Sequence, residues 1–250
     1  MMLTETEEKT KIEKPQGPEY YISKKVGRAI IDYALISDGD KIAVAVSGGK
    51  DSLTLLKVLA DRRSFVPIKY DLLAVHIDLG YPHTHSKLLA RYLEREGFRY
   101  YIEKIDVLKE KKRNDISCFW CSWNRRKALF EVAHRLGFKK IALGHHKDDI
   151  IQTVLLNLFF QGEISAMRPK QELFKGEITL IRPLAYVEEE EIIRFAKTQN
   201  FPPQKYRCPH SLTSRRAKME KIIKELEKIN SSVKTNIFRA IKRINKEYLL

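Results

Sequence analysis

Three groups of residues in this 250-residue chain carry the chemistry. The first is Ser47-Gly48-Gly49-Lys50-Asp51-Ser52, lying between an apolar run at 42–46 and a stretch with helical apolar spacing from Ser52 to Ala60. Backbone N–H groups and the positive end of a helix at such a junction can meet an anion, and paired glycines let the backbone approach phosphate closely. A lysine and a carboxylate-bound Mg2+ can offset charge building on a reacting phosphoryl group. The spacings G-x-x-x-x-G-K-[ST] and G-x-G-x-x-G are both absent. A bare Gly-Gly would be read as a tight turn capped by Ser47, but the full hexapeptide in this setting favours a phosphate loop.

The second group is Gly144-His145-His146-Lys147-Asp148-Asp149, again between an apolar run and a helix. Two aspartates there could serve nucleotide or metal, or simply favour the positive end of the helix. The third is the set of three cysteines, Cys118, Cys121 and Cys208. An odd, sparse set in a chain whose charged N-terminus lacks a signal segment argues for free thiols, a metal or a redox centre rather than a disulfide framework. Cys118-Phe119-Trp120-Cys121 could be half a zinc site, a redox pair or part of an iron–sulfur cluster. Zinc would need a fourth ligand such as His210, whereas a cluster tolerates three thiolates if one iron stays open. His83-Thr84-His85 is read as a solvated loop pair.

The elements that must position these groups alternate along the chain. Strand-like runs at 42–46, 71–77, 100–105 and 140–143 are separated by helical spacing at 52–60, 86–96, 123–136 and 148–160. That order predicts an α/β fold with a doubly wound, Rossmann-like parallel sheet. Residues 178–181 are expected to add an edge strand, and 187–198 a further helix. The expected organisation is a flexible tail at 1–18, an α/β domain at 19–200 and a basic helical extension at 201–250. Both glycine motifs then fall at the C-terminal ends of strands, where open α/β sheets bind ligands.

The chain carries 47 Lys and Arg against 32 Asp and Glu, for a net charge of +15, so an acidic partner is expected. The surplus is uneven. Residues 200–250 hold thirteen Lys and Arg against four Asp and Glu, and residues 104–127 hold eight against three. Phosphate backbones are the natural complement, and Phe119, Trp120 and Trp123 could stack on unpaired bases or pack in the core. No apolar run reaches the length of about 20 residues that a membrane span needs. A cytoplasmic protein with no membrane association is expected.

The loop at 47–52 resembles the pyrophosphate-binding loop of the PP-loop ATP pyrophosphatases, of the adenine nucleotide alpha hydrolase fold. The resemblance implies that Ser47, Gly48, Gly49, Asp51 and Ser52 hold the β- and γ-phosphates of ATP with Mg2+, and that Lys50 faces the reacting α-phosphate. His76, Ile77 and Asp78 match the strand end where these enzymes meet adenosine, and Gly144 and Asp149 match a segment serving ATP, metal or catalysis. Lys50, Asp51 and Asp149 are the implied catalytic residues.

With Cys118-x-x-Cys121 before Arg125-Arg126, and with Asn157, Gly162, Pro169-Lys170 and 182–186, the chain is similar to the tRNA 2-thiocytidine synthetase family from about residue 24 to 211. That family implies a [4Fe–4S] cluster on Cys118, Cys121 and Cys208, with a free iron that accepts sulfur. It also implies a tRNA substrate adenylated at a pyrimidine C2 oxygen, cytidine in the anticodon loop, giving 2-thiocytidine. The sulfur donor would be sulfide or a persulfide carrier, and the enzyme a homodimer. Cys208 is followed by Pro209, His210 and Ser211, so the second C-x-x-C of many members is incomplete. Met167-Arg168-Pro169 replaces their Met-Pro-Pro, and the basic C-terminal helices match none of the family's motifs. Two alternatives stand beside this reading. One is a PP-loop thiolase acting on uridine, or through a cysteine persulfide without a cluster. The other is a non-catalytic nucleotide- or RNA-binding regulator, against which the intact Lys50, Asp51 and Asp149 speak.

Overall fold

A computed structural model describes residues 17–81, 86–106, 118–203 and 215–248. Helix α1 (Pro18–Asp32) precedes β1 (Asp40–Ala45), α2 (Lys50–Arg62), β2 (Tyr70–Asp78), α3 (Ser86–Arg95) and β3 (Tyr100–Lys104). Then come α4 (Cys118–Arg135), β4 (Lys140–Ala142), α5 (Lys147–Gln161), β5 (Lys170–Leu173), β6 (Ile178–Ile181) and α6 (Glu189–Thr198). Two further helices, α7 (Arg215–Ile229) and α8 (Val233–Ala240), follow.

The six strands form one sheet in the order β3-β2-β1-β4-β6-β5, parallel except for β5. The apolar run in β1 is flanked by β2 and β4, with Val44 level with Ala74 and Ala142. Its side chains alternate between two cores. Ile42 and Val44 join residues of α1, α2, α3 and α6 on one face, whereas Ala43 joins Ala128, Leu129 and Val132 of α4 on the other. Burial on both faces is why this strand reads as a continuous apolar run rather than an alternation. Each of its fully buried aliphatic side chains contributes about 1.5–3 kcal/mol.

The edge differs from expectation. Residues 178–181 pair in parallel with β4, and β5 covers their other side as an antiparallel partner, Lys170 opposite Ile181 and Leu173 opposite Ile178. The true edge strand, Lys-Gln-Glu-Leu, has no apolar run to betray it, because an edge strand can leave its side chains largely in water.

Helix α5 leaves the C-terminal end of β4 and packs its apolar face on α7 and α8. Ile151 and Leu155 meet Met219 and Ile223, with Ile237 and Phe238 alongside. The basic C-terminal helices therefore lie on the helix that begins in the Gly144–Asp149 motif. No described helix is long and apolar enough to cross a membrane.

Candidate active site

The chain winds outward from β1 through β2 to β3, then returns past β1 to β4. The crevice between β1 and β4 is thus the topological switch point, and a glycine motif leaves each of these strands there. In the first, the Ser47 N–H donates to Ser52 Oγ (3.1 Å), and the Ser52 hydroxyl donates to the Gly49 carbonyl (2.9 Å). The Gly49 N–H donates to Ser47 Oγ (3.3 Å). These bonds hold the loop in shape before any ligand arrives. Gly48 has φ +86°, a conformation L side chains rarely adopt, and no side chain caps the start of α2. Gly144 touches this loop directly. A Cβ there would lie 3.1 Å from Asp51 C, Ser52 Cα and Ser52 N, so only glycine lets the second motif close against the first turn of α2.

Lys50 spans the mouth of the crevice. Its Nζ donates to Asp51 Oδ1 (2.9 Å) and to Glu189 Oε1 (2.9 Å) at the start of α6. Burial disfavours the ammonium, but these two carboxylates outweigh it and raise its pKa. On the opposite side His146 is almost fully buried. Its Nε2 lies 3.4 Å from Asp149 Oδ2 and 4.0 Å from Asp51 Oδ1, and its Nδ1 lies 3.5 Å from Asp148 Oδ2. Burial opposes the imidazolium, yet the surrounding aspartates prevail and its pKa is raised. The structure thus brings Asp51 and Asp149, distant in sequence, to one imidazole.

Asp148 and Asp149 divide their roles. The Asp148 side chain, 8% exposed, accepts from the Glu189 N–H (2.7 Å) and pairs with Lys234 of α8 (3.0 Å). Burial would raise its pKa, but His146, the Glu189 N–H and Lys234 hold it well below the usual carboxylate range. Asp149 accepts from the His146 N–H (3.1 Å) and from Arg216 of α7 (3.0 Å). Both C-terminal helices therefore deliver a cation into the motif.

At the end of β2, His76 Nδ1 lies 2.7 Å from the Val46 carbonyl, so that nitrogen carries the proton. Asp78 accepts from the Gly80 N–H (2.9 Å) and the Ser86 hydroxyl (2.6 Å), and Ile77 is buried in the α4-side core. These side chains brace the strand ends, which leaves the backbone as the surface that could meet a nucleotide.

Comparison with known proteins agrees with this architecture. Residues 20–206 match the PP-loop domain family. The chain is 47% identical over 235 residues to the tRNA-cytidine(32) 2-sulfurtransferase of Geobacter sulfurreducens, covering 92% of this chain and 91% of that protein. It is 40% identical, over 92% of this chain and 91% of the relative, to the protein of that name from Syntrophotalea carbinolica.

The chain belongs to the tRNA 2-thiocytidine synthetase family of PP-loop proteins.

The fold is also that of the U34-tRNA thiolase NcsA from Methanococcus maripaludis, solved with its [4Fe–4S] cluster. The TM-score is 0.73 at 24% identity, over 93% of this chain and 81% of that one. Because the family match with the Geobacter protein leaves only 8% of this chain uncovered, most of 201–250 falls within it. The C-terminal extension thus has counterparts in the family, contrary to the reading from motifs alone.

Of the family's cysteines, Cys118 opens α4 and Cys121 follows three residues later. Cys121 is a free, half-buried thiol packed beside the α4-side core. Cys208 lies outside the described residues, as do His83, His85 and His210. Among the described residues, no three His, Cys, Asp or Glu side chains form a metal-binding group. The three aromatics near the C-x-x-C separate: Trp120 packs in the core, whereas Phe119 and Trp123 are 74% and 48% exposed.

The motifs did not reveal Glu189, Arg216 or Lys234, nor any role for His146. An acidic run at 188–191 before a helix was visible, but it reads equally as ordinary helix N-terminal charge. Nothing local indicates that Glu189 reaches a lysine 139 residues away.

Proposed function

We propose that this chain is an ATP-dependent tRNA thiolase that converts a cytidine of the anticodon loop to 2-thiocytidine. The observation that carries the reading is the closure of two glycine motifs on one switch-point crevice, with Lys50, Asp51 and Asp149 around it. The names of relatives at 40–47% identity support cytidine as the base.

The α-phosphate of ATP lies against Lys50, and its β- and γ-phosphates lie in the loop 47–52, where the uncapped start of α2 and the left-handed Gly48 accommodate them. Asp51 and Asp149 would be the carboxylates that hold Mg2+; each is paired with a cation, Lys50 and Arg216 respectively. The cytidine C2 oxygen attacks the α-phosphorus and pyrophosphate leaves. A sulfur nucleophile then adds at C2, and AMP departs with the original oxygen. Adenylation is required because a bare carbonyl oxygen is a poor leaving group.

The Lys50 ammonium stays protonated and meets the charge that develops on the α-phosphoryl oxygens. Glu189 holds Lys50 at the crevice until phosphate takes its place. Cys118, Cys121 and Cys208 would hold a [4Fe–4S] cluster, which supplies a thiophilic iron for sulfide. Sulfide is the donor, either free or released from a persulfide carrier by two thiol equivalents that leave as a disulfide, and the enzyme acts in the cytoplasm, as a homodimer, with residues 201–250 forming a basic helical extension of the ATP-binding domain.

The test is anaerobic reconstitution, absorbance near about 400 nm for thiolate-to-iron bands, and mass spectrometry of nucleosides from tRNA treated with ATP, Mg2+ and sulfide. The expected product is 2-thiocytidine. Thiouridine alone would refute the cytidine assignment, and full activity in a colourless protein would refute the cluster.

A further inference from the structure

A cavity of about 490 Å³ lies between α1, the start of α5 and α8, outside the phosphate loop. Six of its nine lining residues are cationic and none is acidic: Lys25 and Arg28 of α1, Lys147 of α5, Arg239 at the end of α8, and Lys242 and Arg243 just after it. Three of these charges are compensated from behind. Lys25 pairs with Glu191 (2.6 Å), Arg28 with Asp32 (3.5 Å) and Lys147 with Glu188 (2.8 Å). Arg239, Lys242 and Arg243 are exposed and have no carboxylate partner among the described residues. Lys242 instead rests its ammonium 4.6 Å from the centre of the Tyr33 ring.

Three uncompensated cations facing one cavity repel one another, and a polyanion relieves that repulsion. The cavity also has an aromatic wall. Tyr186 meets Phe238 edge to face, with ring centres 5.8 Å apart, and Tyr33 lies 5.6 Å behind Tyr186. The Tyr186 hydroxyl is fixed on Asp32 (2.8 Å), so its ring is held in place. Cations beside ordered aromatic faces are the chemistry that recognises single-stranded nucleic acid.

We propose that this cavity grips the phosphate backbone of the RNA substrate and stacks one of its unpaired bases on the Tyr186–Phe238 wall. RNA fits better than a free nucleotide. The cations are spread over three elements, and the uncompensated ones sit at and beyond the C-terminal end of α8. A mononucleotide's clustered phosphates would find no glycine loop there and the wrong end of that helix's dipole. Lys147 ties the cavity to the crevice: its Nζ reaches Glu188 and Thr235 of α8 (3.2 Å), and the next two residues are Asp148 and Asp149. RNA seated here presents a neighbouring loop nucleotide to the ATP site. The inference rests on tRNA being the substrate.

The test is tRNA binding by the full chain over a range of salt, with a triple variant Arg239→Ala/Lys242→Ala/Arg243→Ala and with Phe238→Leu. The triple variant touches no ion pair among the described residues, so it should fold as the wild type does. Each single-stranded phosphate contact contributes about 0.7 to the slope of log K against log salt, about fivefold in affinity at 0.1 M relative to 1 M salt. The triple variant should therefore bind tRNA about 100-fold more weakly at 0.1 M, with its salt slope reduced by about 2. Phe238→Leu keeps the apolar packing on α5 but loses the ring. It should lose at least about fivefold in affinity at an unchanged salt slope.

ATP binding measured without tRNA should be unaltered in both variants. Wild-type affinity and slope in the triple variant would overturn the proposal, and so would a loss of ATP binding in that variant, which would mark the cavity as a nucleotide site. Thiolation is assayed separately. Its absence from the wild type would refute the functional reading, while the difference in tRNA binding would still decide the role of the cavity.

Discussion

Replacing Gly144 with alanine tests the crevice directly. The added Cβ would sit 3.1 Å from three backbone atoms at the first turn of α2. Comfortable carbon contacts lie at about 3.5–4.0 Å, so roughly 0.5 Å of movement is needed. Backbone cannot rotate aside as a long side chain can, so either α2 and the phosphate loop shift or the segment that leads from β4 to Asp149 in α5 does. Overpacking of this kind costs about 1–3 kcal/mol. For a chain of this size, that lowers the Tm by roughly 4–8 °C at the middle of the range. The catalytic cost should be larger in proportion, since a misplacement of about 1 Å can remove about 100-fold in rate, and half of that about tenfold.

The assay is pyrophosphate release with saturating ATP and tRNA, beside a thermal melt. Gly48→Ala is the matched control. No atom lies within 4 Å of its Cβ, so its cost comes only from φ +86°, about 1 kcal/mol of backbone strain. Wild-type Tm and turnover in Gly144→Ala would refute the claim that the two motifs are in steric contact, and with it the crevice as described.

Three further outcomes are expected. Lys234→Ala strips one partner from the buried Asp148 carboxylate, which keeps the Glu189 N–H and His146; urea unfolding should show a loss of about 2–3 kcal/mol, and a loss below about 0.5 kcal/mol would contradict that pairing. Glu189→Gln should change stability by less than about 1 kcal/mol, because Lys50 and Glu189 are about one-third exposed. It should alter the KM for ATP severalfold, with Lys50→Ala far more damaging to kcat; equal kcat losses in the two variants would argue against a holding role for Glu189. His145 is held neutral, its pKa lowered to about 4 by burial against the opposing pull of Asp149. The unfolded chain takes up this proton near pH 6.5 while the folded protein resists until about pH 4. The His145 contribution to stability should therefore fall by about 1.4 kcal/mol per unit as pH drops across that window, about 3 kcal/mol in all, and level off below it, where the loss of Asp148 pairing takes over. His145→Gln should flatten this part of the profile, and an unchanged slope would disprove the assignment.

What could be read from the sequence was whatever local patterning encodes. The apolar run of β1, the left-handed glycine at 48 and the C-x-x-C each declare themselves within a few residues, because a buried strand, a tight turn and a residue pair at helical spacing are local patterns, whereas Gly144 is required by a backbone that arrives from the other motif. Their order along the chain also fixed the parallel, doubly wound class. The polar β5 escaped notice because an edge strand needs hydrogen bonds from one neighbour and no apolar signature.

The rest was decided by distance in space. That Lys50 rests on Glu189, that Asp51 and Asp149 share His146, and that α7 and α8 return to place Arg216 and Lys234 on the second motif all depend on contacts spanning tens to more than a hundred residues. Charge carries no address in a sequence. The net charge of +15 announced an acidic partner, but only the packing of α8 against α5, across a cavity from α1, separated the cations already paired with carboxylates from the three left facing that cavity.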